Sequence, residues 1–174
     1  MILVYAMAIL GGFHAGLTGS VWSVYFWMIT AVMIFVAWTR LYFKKKDKTN
    51  WDISDRKKRI IPLLVLLVVV GCIYAVLVRV ADPRIASLFG AFFIWIVGFF
   101  VLTLKIKLSG HVAILTWVFC HLIAWFGYVL LPIGIVIPIL AWSRLALKRH
   151  TVLEVIVGFL YSILVFFVSS RIIG

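Results

Sequence analysis

Acidic residues are scarce in this chain. Asp47, Asp52, Asp55, Asp82 and Glu154 are the only five in 174 residues, and Glu154 is the single glutamate. An enzyme that clamps Mg²⁺ on a diphosphate between two acidic clusters needs more carboxylates than that. Cysteine is limited to Cys72 and Cys120, both inside apolar runs. They read as small packing residues, and neither a disulfide framework nor a metal site is expected. Charge of either sign is low, at 13% of residues. No long linker, low-complexity tract or internal repeat is visible, so one domain over 1–174 is expected. The first apolar segment lacks a basic start and runs on into a second, which is unlike a cleaved signal peptide.

What fills the chain is hydrocarbon. Hydrophobic residues make up 66%, with a mean hydropathy of +1.24. A soluble domain is about half apolar, and a chain this short cannot hide the excess in a core. The solvent must be lipid. Seven apolar segments can be marked, at 2–17, 20–43, 60–80, 85–104, 111–131, 132–146 and 151–173. Pro132 and Pro138 suggest that the fifth and sixth are arms of one hairpin divided by proline. The expected fold class is all-α, a polytopic transmembrane helical bundle with six to seven membrane segments.

Four polar islands interrupt the apolar runs, at 44–59, 81–84, 105–111 and 143–154. Alternate crossings put 44–59, 105–111 and 143–154 on one membrane face and 81–84 on the other. Lysine and arginine divide the same way. Arg40, Lys44, Lys45, Lys46, Lys48, Arg56, Lys57, Lys58, Arg59, Lys105, Lys107, Arg144, Lys148 and Arg149 fall on the first face. Arg79, Arg84 and Arg171 fall on the second, a split of 14 against 3 out of 17. The positive-inside rule makes the first face cytoplasmic, in a multi-pass protein of the cell membrane. A net charge of +12 would suggest nucleic acid in a soluble protein; here it points to membrane lipids and topology, and no nucleic acid is expected.

The three islands on the crowded face hold the chain's chemistry. In SRLALKRHTVLE, His150 and Glu154 are four apart and share a face on a helix. A carboxylate there can fix one imidazole nitrogen and leave the other as base or nucleophile. Arg144 offers a planar fork for phosphate oxygens, and Ser143 a further donor. In KIKLSGH, Lys105 and Lys107 supply cations, Ser109 and Gly110 allow close backbone approach to an anion, and His111 opens the next helix. In DISDRKKRIIP, Arg56 and Arg59 are three apart on a first helical turn, with Pro62 just inside. Blander readings exist for each island: an interfacial basic loop, an N-cap at Ser109 or Gly110, and a lipid-binding juxtamembrane cluster. His14 and His121 read as packing residues, and Trp22, Trp38, Trp51 and Trp142 as interfacial anchors.

These residues resemble the type 2 phosphatidic acid phosphatase superfamily, whose site is shared with glucose-6-phosphatase and the vanadium haloperoxidases. The family's third motif is Ser-Arg, five residues, His, three residues, Asp. Ser143, Arg144, His150 and Glu154 match it without a gap, with Glu for Asp, and Gly158 fits its continuation. The second motif, Pro-Ser-Gly-His, corresponds to Leu108, Ser109, Gly110 and His111. The first, Lys, six residues, Arg-Pro, is matched least closely: with Arg59 as its arginine, Asp52 stands at the lysine position and the proline falls at Pro62. The likeness spans about 51–158.

The resemblance implies a single membrane-embedded phosphatase domain that works without a metal or cofactor. His150 would attack phosphorus and become a phosphohistidine, with Glu154 orienting it. His111 would protonate the leaving oxygen and then activate water. Arg144, Arg59, Arg56, Lys107, Ser109, Gly110 and Ser143 would hold the phosphoryl oxygens. The implied substrate is a lipid phosphate or diphosphate: polyprenyl, phosphatidate or phosphatidylglycerol phosphate. Two readings compete. One is a non-catalytic protein of the same fold that binds or transports lipid phosphates. The other is an intramembrane prenyltransferase, which the shortage of a second acidic cluster disfavours.

Overall fold

The computed structural model describes residues 56–172 apart from Asp82, together with 9–13 and isolated positions between 16 and 41; side chains at 56–58, 80 and 84 are not included. The elements are helical throughout these residues: α1 (Arg56–Val80), α2 (Pro83–Lys105), α3 (Gly110–Phe126), a 3₁₀ segment (Tyr128–Ile135) that runs on into α4 (Val136–Ala146), and α5 (Val152–Ile172). Four stretches are long and apolar enough to cross a bilayer: Arg59–Arg79, Ile85–Lys105, Tyr128–Ala146 and Val152–Ile172. The expected segments 2–17 and 20–43, and His14 with them, lie largely outside the described residues.

Two boundaries differ from the sequence reading. The segment expected at 111–131 stops at Phe126, so α3 has 17 residues. At 1.5 Å per residue that is roughly 25 Å, short of a full bilayer core. The break falls at Gly127, whose φ of 82° and ψ of −179° suit only glycine. Pro132, expected to divide the hairpin, instead lies inside the 3₁₀ segment, so the return arm starts at Tyr128 and not at 132. Pro62 also sits deeper than expected, more than one turn after Arg56.

Helices α1 and α2 pair along their lengths, and α5 lies in a groove between α2 and α3, while α4 leans on α3. Trp95, Ile96 and Phe99 of α2, Ala113 and Trp117 of α3, and Tyr161 and Val165 of α5 form the main core. At the other end of the α1–α2 pair, Ile9, Trp22 and Ile29 pack with Leu77, Ile85 and Phe89. The polar groups of the core point inward. Trp95 Nε1 donates to Ser162 Oγ at 3.0 Å, Ser162 Oγ donates to the Ala113 carbonyl at 2.7 Å, and Tyr161 donates to the Trp95 carbonyl.

Helix α5 is apolar on both faces, and its packing face mixes Val155, Tyr161 and Val165 with small residues. Leu153, Ile156, Leu160, Leu164 and Phe167 are exposed, whereas Gly158, Ser162 and Ser169 are buried. Small residues on the packing face and bulky apolar ones outside are what helices in lipid require, because lipid gives no hydrophobic drive to bury leucine. His121 belongs to the same interior: its Nδ1 lies 2.9 Å from the Trp117 carbonyl and its ring contacts Trp117 and Phe166. The hydrogen bond is within its own helix.

Candidate phosphate site at one end of the bundle

Helix parity brings the start of α1, the loop between α2 and α3, and the loop between α4 and α5 to one end of the bundle. Three hydrogen bonds tie them together. Arg59 Nη1, in the first turn of α1, donates to the Leu108 carbonyl at 3.1 Å. Lys107 Nζ donates to the Arg149 carbonyl at 2.8 Å. Ser109 N–H donates to the Glu154 carbonyl at 3.2 Å. The last contact needs the Ser109 backbone close to α5, and Gly158 permits it: a Cβ there would lie 3.1 Å from the Ser109 carbonyl oxygen. Position 158 is therefore small because another backbone crosses it.

Within this frame His150 is buried, its side chain only 1% exposed. Its Nδ1 lies 2.7 Å from Glu154 Oε2. The expected pairing is present, but its cause differs. His150 is not on the helix; it stands two residues before α5, in a loop that turns at Lys148, whose φ is 51°. Glu154 reaches back over the helix start to meet it. Lys107 Nζ is 4.0 Å from the same Oε2. That oxygen also accepts the Thr151 N–H at 3.3 Å; a carboxylate offers lone pairs only, which assigns Nδ1 as the donor in its bond to Glu154. Nε2 then carries the lone pair, and it is buried with no hydrogen-bond partner among the described residues.

Ser109 has a matching feature. It occupies the N-cap position of α3, yet its hydroxyl makes no cap bond and is buried without a partner. A buried polar group left unpaired is costly, so two in adjoining segments call for an explanation beyond packing. Burial holds the His150 imidazole below its ordinary value of 6.5. The Glu154 hydrogen bond opposes that shift, while the charges of Arg59 and Lys107 add to it. The ring is thus neutral at pH 7, with Nε2 free to accept a proton or attack an electrophile.

The other expected residues occupy the same end. His111 is exposed in the first turn of α3, and Gly110 opens that helix. Ser143 and Arg144 are half-buried near the end of α4, and their carbonyls accept the N–H groups of Leu147 and Arg149 at 3.1 and 3.0 Å. The Arg56 side chain lies outside the described residues. Among the described residues no three His, Cys, Asp or Glu side chains gather as a metal site would require. One participant was overlooked in the sequence. Thr151 Oγ1 accepts the Glu154 N–H at 3.3 Å, and the Thr-x-x-Glu spacing of a capping box was there to signal it. Comparison with protein-family models, curated proteins and solved structures gives no significant match.

Proposed function

We propose that this chain is an integral membrane lipid phosphatase that removes a terminal phosphate from a lipid phosphate or diphosphate through a phosphohistidine on His150. The observation that carries this reading is the environment of His150: a buried neutral ring, Nδ1 tied to a carboxylate, Nε2 unpaired, and two cations close by. Such a ring is set up to attack an anionic electrophile. The likeness of Ser143, Arg144, His150 and Glu154 to the phosphatidic acid phosphatase motif is the reason for taking that electrophile to be phosphorus.

In the proposed reaction the Nε2 lone pair forms an N–P bond as the bond from phosphorus to the lipid oxygen breaks. His111 gives its proton to that oxygen. Water then attacks the phosphohistidine, His111 takes its proton, and inorganic phosphate leaves. Neither step calls for a metal or cofactor. Arg59 and Lys107 each spend one donor on a loop carbonyl, but a guanidinium has five N–H groups and an ammonium three. Both would turn N–H groups toward phosphoryl oxygens, alongside Arg144, Arg56, Ser143, the Ser109 hydroxyl and the Gly110 backbone. Because Nε2 is buried, phosphate must displace a closing contact, and Lys107 can exchange the Arg149 carbonyl for a phosphoryl oxygen.

The lipid part of the substrate is supported by a cavity of about 310 Å³ lined by Thr116, Phe119, Ile137, Pro138, Phe159 and Ile163. It is apolar and lies between α3, the Tyr128–Ala146 arm and α5, the elements that carry the site. In the full proposal six or seven segments cross the cell membrane and the site faces the cytoplasm, as the distribution of lysine and arginine indicates.

Purified protein in detergent is expected to release phosphate from long-chain prenyl phosphate or phosphatidate with a chelator present. His150→Ala is expected to abolish release, and rapid acid-free quenching of the wild type should trap labelled phosphohistidine. Full turnover by His150→Ala would overturn the mechanism. Stoichiometric lipid-phosphate binding without release would favour the non-catalytic reading.

A further inference from the structure

Thr151, Glu154 and His150 form a closed set of contacts at the start of α5. Thr151 stands immediately before the helix, which begins at Val152. Its hydroxyl oxygen accepts the Glu154 N–H at 3.3 Å, and Glu154 Oε2 accepts the Thr151 N–H at 3.3 Å. This reciprocal pair is a capping box, in which a glutamate at the third helical position reaches back to the N-cap. The same Oε2 accepts Nδ1–H of His150 at 2.7 Å. One carboxylate oxygen therefore closes the helix start and holds the imidazole.

We propose that Thr151 is a positioning residue, holding the Glu154 carboxylate on His150 Nδ1 through the capping box, and that closing this box is what places glutamate, one methylene longer than aspartate, at position 154. The side chain at 154 must span from the third helical residue back to the N–H of residue 151. Glutamate and glutamine have that reach. Thr151 is exposed and acts on the ring only through Glu154. With its hydroxyl gone, the Glu154 N–H loses its acceptor, the box opens and the carboxylate leaves its fixed rotamer. The imidazole then distributes its proton between both nitrogens. Every ring protonated on Nε2 has lost the lone pair that the reaction uses.

The inference rests on the phosphatase reading for its effect on turnover, but the ring tautomer can be measured without it. Histidine labelled with ¹⁵N in detergent-solubilised protein reports which nitrogen of His150 is protonated, the signal being assigned by its loss in His150→Gln. The wild type is expected to show a single Nδ1–H tautomer. Thr151→Val should show a mixture, and Thr151→Ser should restore the single form. Thr151→Gly, which removes the hydroxyl at small cost to the helix, replaces the valine variant if that does not fold. In phosphate release, Thr151→Val should lower kcat on the order of tenfold with KM little changed, and Thr151→Ser should recover it. A wild-type tautomer in the folded hydroxyl-free variant would overturn the proposal. Absence of phosphatase activity in the wild type would overturn the phosphatase reading and leave the tautomer result to decide this one.

Discussion

The burial that removes His150 from water also removes the solvation its protonated form would need, and Arg59 and Lys107 disfavour that form further. The Glu154 hydrogen bond restores only part of the loss. The proposed reaction needs a neutral ring, so the direction of the shift would extend the range of that reaction toward acid. The sign follows directly: with the pKa depressed, more than half of the rings remain neutral at pH 6.5, and neutrality is lost only as pH falls through the lowered value. We expect a ¹⁵N titration of His150 to give a midpoint below 6.5, and Lys107→Met to move that midpoint upward, because a repelling cation is gone. A midpoint in Lys107→Met at or below that of the wild type would mean that Lys107 does not act on the ring. The identities of these residues were legible in the sequence, since the spacing from Ser143 to Glu154 is a local pattern. The reason for the contact was not. Helical periodicity suggested one shared face, whereas the pair forms across a helix start, and a helix boundary depends on loop geometry that residue spacing does not encode.

Helix α5 carries Glu154 to the Ser109 loop, and its seat against α2 and α3 is set by small and hydroxyl residues. Ser162 is central, because its oxygen accepts from Trp95 of α2 and donates to the Ala113 carbonyl of α3. Removing it orphans the indole N–H in a fully buried position. Interhelical hydrogen bonds in membranes are worth about 0.6 kcal/mol on average, but an orphaned buried donor adds roughly 1–3 kcal/mol. Ser162→Ala is therefore expected to destabilise the bundle by about 1–2 kcal/mol, read as a lower midpoint in detergent or urea unfolding. An unchanged midpoint would show that Trp95 finds another acceptor. Element positions were mostly legible, because apolar runs bounded by charge define α1, α2 and α5 closely. The packing face of α5 was not, since both faces carry bulky apolar residues and the small residues among them are a weak signal. The α3 boundary was misplaced for a related reason: proline is the stronger breaker in general, but a 3₁₀ segment accommodates Pro132, while the glycine at 127 takes a backbone angle closed to other residues.

Two helical legs separate the start of α1 from the α2–α3 loop, and two more separate that loop from the one before α5; this even count brings three distant polar islands to one end without any long-range pairing being read from the sequence. The rest of the surface is consistent with lipid around the bundle: Leu64, Val68, Val76, Leu160, Leu164 and Phe167 are exposed along α1 and α5. Trp142, 70% exposed one residue before Ser143, suits an interfacial anchor at the site end. Described cations favour this end too, with Arg59, Lys105, Lys107, Arg144, Lys148 and Arg149 here against Arg79 and Arg171 at the other. Each such cation biases a loop to remain on the cytoplasmic side during insertion. Orientation can be tested with single cysteines placed on a chain carrying Cys72→Ala and Cys120→Ala. Leu147 is exposed in the loop before His150, and Pro83 is exposed at the opposite end of the bundle. An impermeant maleimide should label Pro83→Cys in intact cells, and Leu147→Cys only after the membrane is opened. Labelling of Leu147→Cys in intact cells would put the site outside, and the basic residues around it would then fit the proposed anionic substrate and not the topology.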